Sequence, residues 1–432
     1  MSSPPRLWVI LSVIVAASAV SIMSTDLYTP SLPHLAGYFD TTPQAVKLTI
    51  SANLLAYGAA TLFVGPISDR YGRRPVMLVG LTLFTVFSMM CALALDIGQL
   101  IAFRIAQGVC ASVEAVVGLA IIRDLFKETD QVRALAIWGT AIAVAPALAP
   151  IIGGYVHVSL GWQANFWIIA IIGVIVTVLA WRQLPESATV NLNALKPRAF
   201  IRGYRLLLRN RQFMSYVLML GTSLGVIFAF ITAAPFILIE QFSVPTHHYG
   251  YYQGAIVAAY FVGSLASTWL AGKVDASTLL YVGLAFAALG TIALPYVYFA
   301  DLLTPVTLAG AVAVTAVGLG PIFAVAPSLA LSTIDPAPIT PAPVNLEPSL
   351  SGTTGDDSQS GAGTGSASAL ISAGEMLVCG LAATLVTVLH DGTAFGLIAT
   401  TSILLFAGAG ACLLGIGPAN IIDRSDNKDF IP

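Results

Sequence analysis

Three carboxylates and one guanidinium stand inside runs of apolar residues: Asp26, Glu114, Glu375 and Arg104. Charge in hydrocarbon is costly, so such groups pair with one another, face a wet cavity, or carry protons and ligands. At a rise of about 1.5 Å per residue, Glu114 lies roughly 12 Å from Arg123, and Glu375 roughly 14 Å from the start of its run. Both fall near mid-depth. Gln107, seven residues before Glu114, shares its helical face with Cys110 and Ala111. Asp26 stands near the far third of the first run, and Arg104 enters its own run from that same side. Their equal depth predicts an ion pair, and a movement separating them would leave Asp26 to take up a proton. A purely structural pair at Asp26, and structural hydrogen bonds at Glu114 and Glu375, are the competing readings.

These groups need elements to hold them. The 432 residues are 57% hydrophobic and 9% charged, against about 25% charged in soluble domains. That excludes a soluble core and predicts a polytopic membrane protein. The net charge of −2 gives no case for nucleic acid. Cys91, Cys110, Cys379 and Cys412 fall in apolar runs and read as small hydrophobes, not ligands or disulfides. Neither a metal nor a cofactor is expected.

Twelve apolar runs predict membrane-spanning helices: 7–29, 45–66, 75–95, 99–122, 134–157, 163–182, 213–239, 250–272, 278–299, 304–331, 366–389 and 393–416. The first is longer than a signal-peptide core and reads as an uncleaved span. With the N-terminus inside, the inner segments carry every Lys and Arg of the 19 except Lys47 and Arg104. The positive-inside rule therefore places both termini in the cytoplasm.

The spans divide into bundles at 1–182 and 213–432, joined by a basic cytoplasmic linker, 183–212. Within it Arg198, Arg202, Arg205 and Arg209 recur at helical spacing opposite Ile201, Tyr204 and Leu208, predicting an amphipathic helix on the membrane surface. A solvated basic linker is the alternative. Residues 333–365, rich in Pro, Gly, Ser and Thr, predict a disordered cytoplasmic insertion. Two short strings lead nowhere. "GTSLG" at 221–225 matches a hydrolase elbow without its preceding strand, and adjacent His247 and His248 make a poor chelate.

Residues 65–78, "GPISDRYGRRPVML", must turn the chain and re-enter the membrane within a few residues. Gly65 permits close approach, Gly72 the tight turn, and Pro75 suits a first helical turn. With Asp69, Arg70, Arg73 and Arg74, the string resembles the signature loop of the major facilitator superfamily. "RIAQGVCASV" at 104–113 is similar to that family's span-4 motif. "APALAPIIGG" at 145–154 is similar to its antiport-associated span-5 motif, with Ala149 where the family has Gly. "DLYTPSLP" at 26–33 resembles the start of twelve-span drug:proton antiporters of the bicyclomycin/chloramphenicol-resistance type.

The resemblance implies an all-α membrane fold of twelve helices in two pseudo-symmetric six-helix bundles. It implies a monomeric, proton-coupled exporter of small, largely apolar compounds, antibiotics among them, in a bacterial inner membrane. Spans 1, 4, 7 and 10 would line the cavity, which points Glu114 at substrate; Gln107 on the same face, Phe228 and Phe230 of span 7, Tyr260 of span 8 and Glu375 at mid-depth in span 11 are the other candidate substrate contacts. Asp26, Arg104 and Glu114 would couple protons. Asp69 would sit near the start of span 11, with Arg73 linking it to Asp124 in a latch that breaks in the inward-open state; acids of the insertion would tune it. Pro146, Pro150, Gly153 and Gly154 would set the interface of span 5 with span 8, against Gly254, Ala258, Gly263 and Ala266. A metabolite transporter of the same fold, and more remotely a membrane sensor or intramembrane enzyme, stand as alternatives.

Overall fold

The computed structural model describes residues 5–188, 197–334 and 358–415. Among them, twelve helices are long and apolar enough to cross a membrane. The first bundle contains α1 (Pro5–Asp26), α3 (Pro43–Tyr71), α4 (Arg73–Ala92), α5 (Ile97–Leu125), α6 (Glu128–Leu160) and α7 (Trp162–Gln183), with short α2 (Leu32–Tyr38) between α1 and α3. After α8 (Pro197–Arg209), the second bundle contains α9 (Arg211–Pro235), α10 (Thr246–Leu270), α11 (Ala276–Phe299), α12 (Pro305–Ser332), α13 (Ser358–Val388) and α14 (Phe395–Gly415). Alternate helix ends place Arg70, Arg73, Arg74, Arg123 and Arg182 at one end, called here the basic end.

Several boundaries depart from the apolar runs. The first run stops being α-helical at Asp26. A tight turn, Thr29–Ser31, then leads into α2, with Pro30 and Pro33 in their opening turns, where no donor is needed. Helix α13 starts at Ser358, so residues 358–365 are helical rather than disordered. Their Ser, Gly and Ala composition carries no apolar signal. The remainder of the expected insertion, 335–357, lies outside the described residues. The linker does form a helix, α8. Its Leu207 is buried against the second bundle and the Tyr204 hydroxyl donates to the Leu62 carbonyl at 3.1 Å, while Ile201 and Leu208 stay exposed.

The bundles meet along α3 with α13 and α6 with α10. A buried apolar cluster crosses the seam at the end away from the basic one. It joins Tyr28, Leu32 and Ile50 to Phe236, Cys379 and Ala383.

Candidate functional site

Helix α5 carries Arg104 and Glu114, and α1 packs alongside it. Arg104 has no exposed surface. Its guanidinium donates to the Ser24 carbonyl (3.2 Å), the Thr25 hydroxyl (3.1 Å), the Thr49 carbonyl (3.4 Å) and Gln107 Oε1, and lies 4.8 Å from the Tyr28 ring centre. Gln107 passes the network on, donating to Ser88 Oγ at 2.7 Å. The expected ion pair of Arg104 with Asp26 is absent among the described residues. Asp26 instead accepts from Gln253 Nε2 of α10 at 3.0 Å. The physical reason is that several neutral acceptors surround a guanidinium with five N–H groups, so no carboxylate is required. Gln107 is likewise corrected: it is fully buried and braces Arg104 rather than facing a cavity.

The middle of the molecule holds the other two acids. Glu114 is 4% exposed, flanked by Ser18 and Ser21 of α1, and its Oε2 has no hydrogen-bond partner. Glu375 comes from α13 in the opposite bundle. Tyr57 of α3 lies within electrostatic reach of both carboxylates, and Tyr260 of α10 within reach of Glu375. Tyr57 had no sequence signal beyond its apolar run. Phe228 is half-buried and packs on the seam cluster. Phe230 is fully buried in the second bundle's core and presents no surface to a substrate, a correction to its expected role.

Away from the basic end, the bundles touch closely. A side chain at Gly154 would meet the Thr246 carbonyl, and one at Gly250 would run into the Pro150–Ile151 backbone. Tyr155 and Tyr251 share a 3.0 Å hydroxyl contact, and His34 Nε2 lies 3.2 Å from Thr246 Oγ1. Gly153 instead faces the turn that follows α1, against the Leu27 carbonyl. Gly263 is also corrected, because it packs on Val317 of α12 and not on α6. The α6–α10 interface is thus built by Pro150, Gly154, Gly250 and Gly254, in the halves away from the basic end. There, too, Lys47 Nζ donates to His390 Nδ1 at 2.7 Å while lying 4.6 Å from the Phe236 ring centre. Burial, then the Lys47 charge, holds the His390 imidazole below its ordinary range.

At the basic end, Gly72 turns the chain with φ of 97°. Gly65 faces Val116 of α5. Arg73 contacts Asp69 and reaches Asp124 Oδ2 at 3.4 Å. Arg74 donates to the Trp181 carbonyl at 2.9 Å. Glu186 was not foreseen. It accepts from the Arg73 and Arg74 amides at 2.8 and 3.3 Å, where the dipole of α4 favours an anion. Ser187 donates to Asp124 at 3.0 Å, so the chain leaving α7 is sewn to the turn between α3 and α4.

Comparison with known proteins gives a consistent result. The family model described as Major Facilitator Superfamily matches residues 14–339. A bicyclomycin resistance protein homolog of Haemophilus influenzae is 29% identical over 263 residues, 60% of this chain and 66% of its own. The multidrug transporter MdfA of Yersinia pestis is 32% identical over 262 residues, 60% of this chain and 64% of its own. The chain thus spans just under two thirds of the length of these curated relatives. Among solved structures, a bacterial homolog of the human lysosomal transporter Spinster, inward-facing and unoccupied, superposes with a TM-score of 0.71. It covers 96% of this chain and 98% of its own at 15% identity.

Proposed function

The chain belongs to the Major Facilitator Superfamily, and we propose on that premise that it exports small, largely apolar compounds in exchange for protons by alternating access. The observation that carries this reading is Glu114. Its carboxylate is buried between α1 and α5 with one oxygen unpaired, a costly state unless a proton or a cationic group completes it. Glu375 and Tyr57 approach the same region, Glu375 from the other bundle. Transporter folds place substrate near mid-depth between their two halves, which fits this position. The names of the relatives, a multidrug transporter and a bicyclomycin resistance homolog, point to drug efflux.

In this reading residues 1–182 and 213–432 are the moving halves, and 183–212 ties them at the cytoplasmic face. The basic end is cytoplasmic, following the distribution of Lys and Arg, and the membrane is a bacterial inner membrane. Asp26 and Glu114 exchange the protons, with Arg104 holding the adjoining ends of α1, α3 and α5. Glu114, Glu375, Tyr57 and Tyr260 meet substrate, and Asp69, Arg70, Arg73, Arg74 and Asp124 form the cytoplasmic latch. Everything the cycle requires lies within one chain, which supports a monomer.

A growth screen across antibiotics tests the proposal. Cells expressing the protein should tolerate several apolar or cationic compounds, and Asp26→Asn or Glu114→Gln should abolish at least tenfold of that tolerance, on the order of the 1.4 kcal/mol that a tenfold effect represents. Undiminished resistance in both variants at equal expression contradicts the site assignment.

A further inference from the structure

Asp26 opens the family-like string at 26–33, but its partner, Gln253, lies outside every such string. Asp26 Oδ1 accepts from Gln253 Nε2 at 3.0 Å, across the two bundles. Asp26 is 5% exposed, Gln253 2%, and Tyr249 fully buried. The Tyr249 hydroxyl donates to Gln253 Oε1 at 3.1 Å. That bond fixes the amide's orientation: with its oxygen occupied by a donor, its NH2 must face the carboxylate. The surroundings leave little slack. Gly153 of α6 sits against the Leu27 carbonyl, one residue on from Asp26, and Gly250 of α10 sits against the α6 backbone.

We infer that Gln253 is a positioning residue that reports the protonation state of Asp26 to the opposite bundle. This rests on the proton-coupling role proposed above for Asp26. An amide N–H bonded to an ionised carboxylate forms a charge-assisted bond, roughly twice as strong as one to a neutral acid. An ionised Asp26 therefore pulls α10 onto α1 and closes the seam away from the basic end. Protonation weakens the tie and lets that seam part. The amide has no charge of its own, so it reads the acid without competing for its proton. The titratable and charged groups facing Asp26 are Arg104 of α5 and Tyr249 of α10. Around this segment α6 sets Gly153 against Leu27, and α7 sets Phe166 against Tyr28 and Asn165 against Ser31; none of these titrates.

The test is the closure of the seam as a function of pH, in the full chain reconstituted in nanodiscs. Spin labels replace exposed Leu160 and Ser243 in a cysteine-free background, and the distance distribution gives the closed-to-open ratio. In the otherwise unaltered protein that ratio should rise about fivefold as Asp26 ionises. Gln253→Leu should flatten the response. Gln253→Glu should invert it, because two facing carboxylates hold together only while they share a proton. Asp26→Asn should be flat in either background. A response kept in Gln253→Leu but lost in Asp26→Asn overturns the role of Gln253 and leaves Asp26 as the proton site. A response kept in Asp26→Asn overturns the coupling reading itself. If Gln253→Leu does not fold, the sign of the Gln253→Glu response decides, and an unchanged sign rejects the inference.

Discussion

Arg104 has no exposed surface, and its guanidinium is satisfied by two main-chain carbonyls, a hydroxyl and an amide oxygen. Removing it leaves those buried acceptors without their donor, at about 3 kcal/mol or more. Arg104→Ala should therefore lower the thermal unfolding midpoint in detergent strongly. Arg104→Lys should recover only part of the loss, because a point charge cannot reach acceptors spread around a planar fork. An unchanged midpoint in Arg104→Ala would show that the network bears no weight. The sequence made this arginine conspicuous but misassigned its partner. Charges can be matched by depth, whereas carbonyls are present at every residue and carry no sequence signal. The true partner of Asp26 was hidden for a similar reason. Gln253 is a neutral amide 227 residues away, in a span whose visible pattern is small residues.

Helix positions followed from apolar length, and the turn between α3 and α4 from Gly72 and its flanking charges. Departures occur where another force sets the boundary. Helix α1 ends at Asp26, before Pro30 and Pro33 open the turn and helix that follow, and α13 continues beyond its apolar part to Ser358. Glu186 was missed because it lies in a segment without periodicity, where only the nearby start of α4 gives a carboxylate a role. At the opposite end, α3 meets the loop between α13 and α14 through Lys47 and His390. His390 titrates below its ordinary value in the folded protein, through burial and then the Lys47 charge. The unfolded chain thus binds more protons between that lowered value and about 6.5. Stability should fall as pH drops through this window, and level off below the lowered value. Thermal midpoints across the window should show the slope, and His390→Gln should remove its share. An identical slope in His390→Gln would mean that the contact is not the sensor.

At the scale of the whole molecule, two bundles are joined by tight glycine contacts and by buried polar groups that reach across the seam. The fold was legible in the sequence because hydrocarbon demands long apolar helices and because basic residues mark one side. The mode of closure was not legible, since it depends on which of many small residues meet. Gly154 and Gly250 do, whereas Gly263 packs within its own bundle. In the exchange cycle we propose, Asp26 at the seam and Glu114 at mid-depth are the two proton sites.

The central claim is that substrate export and proton flux are one process. It is tested most directly by purified protein in proteoliposomes holding an acid interior, with a pH-sensitive dye inside and a transported compound added outside. The account predicts that the compound discharges the gradient in the native protein and fails to do so in the Asp26→Asn and Glu114→Gln variants. Accumulation of the compound with no proton release, or undiminished release in both variants, would contradict it.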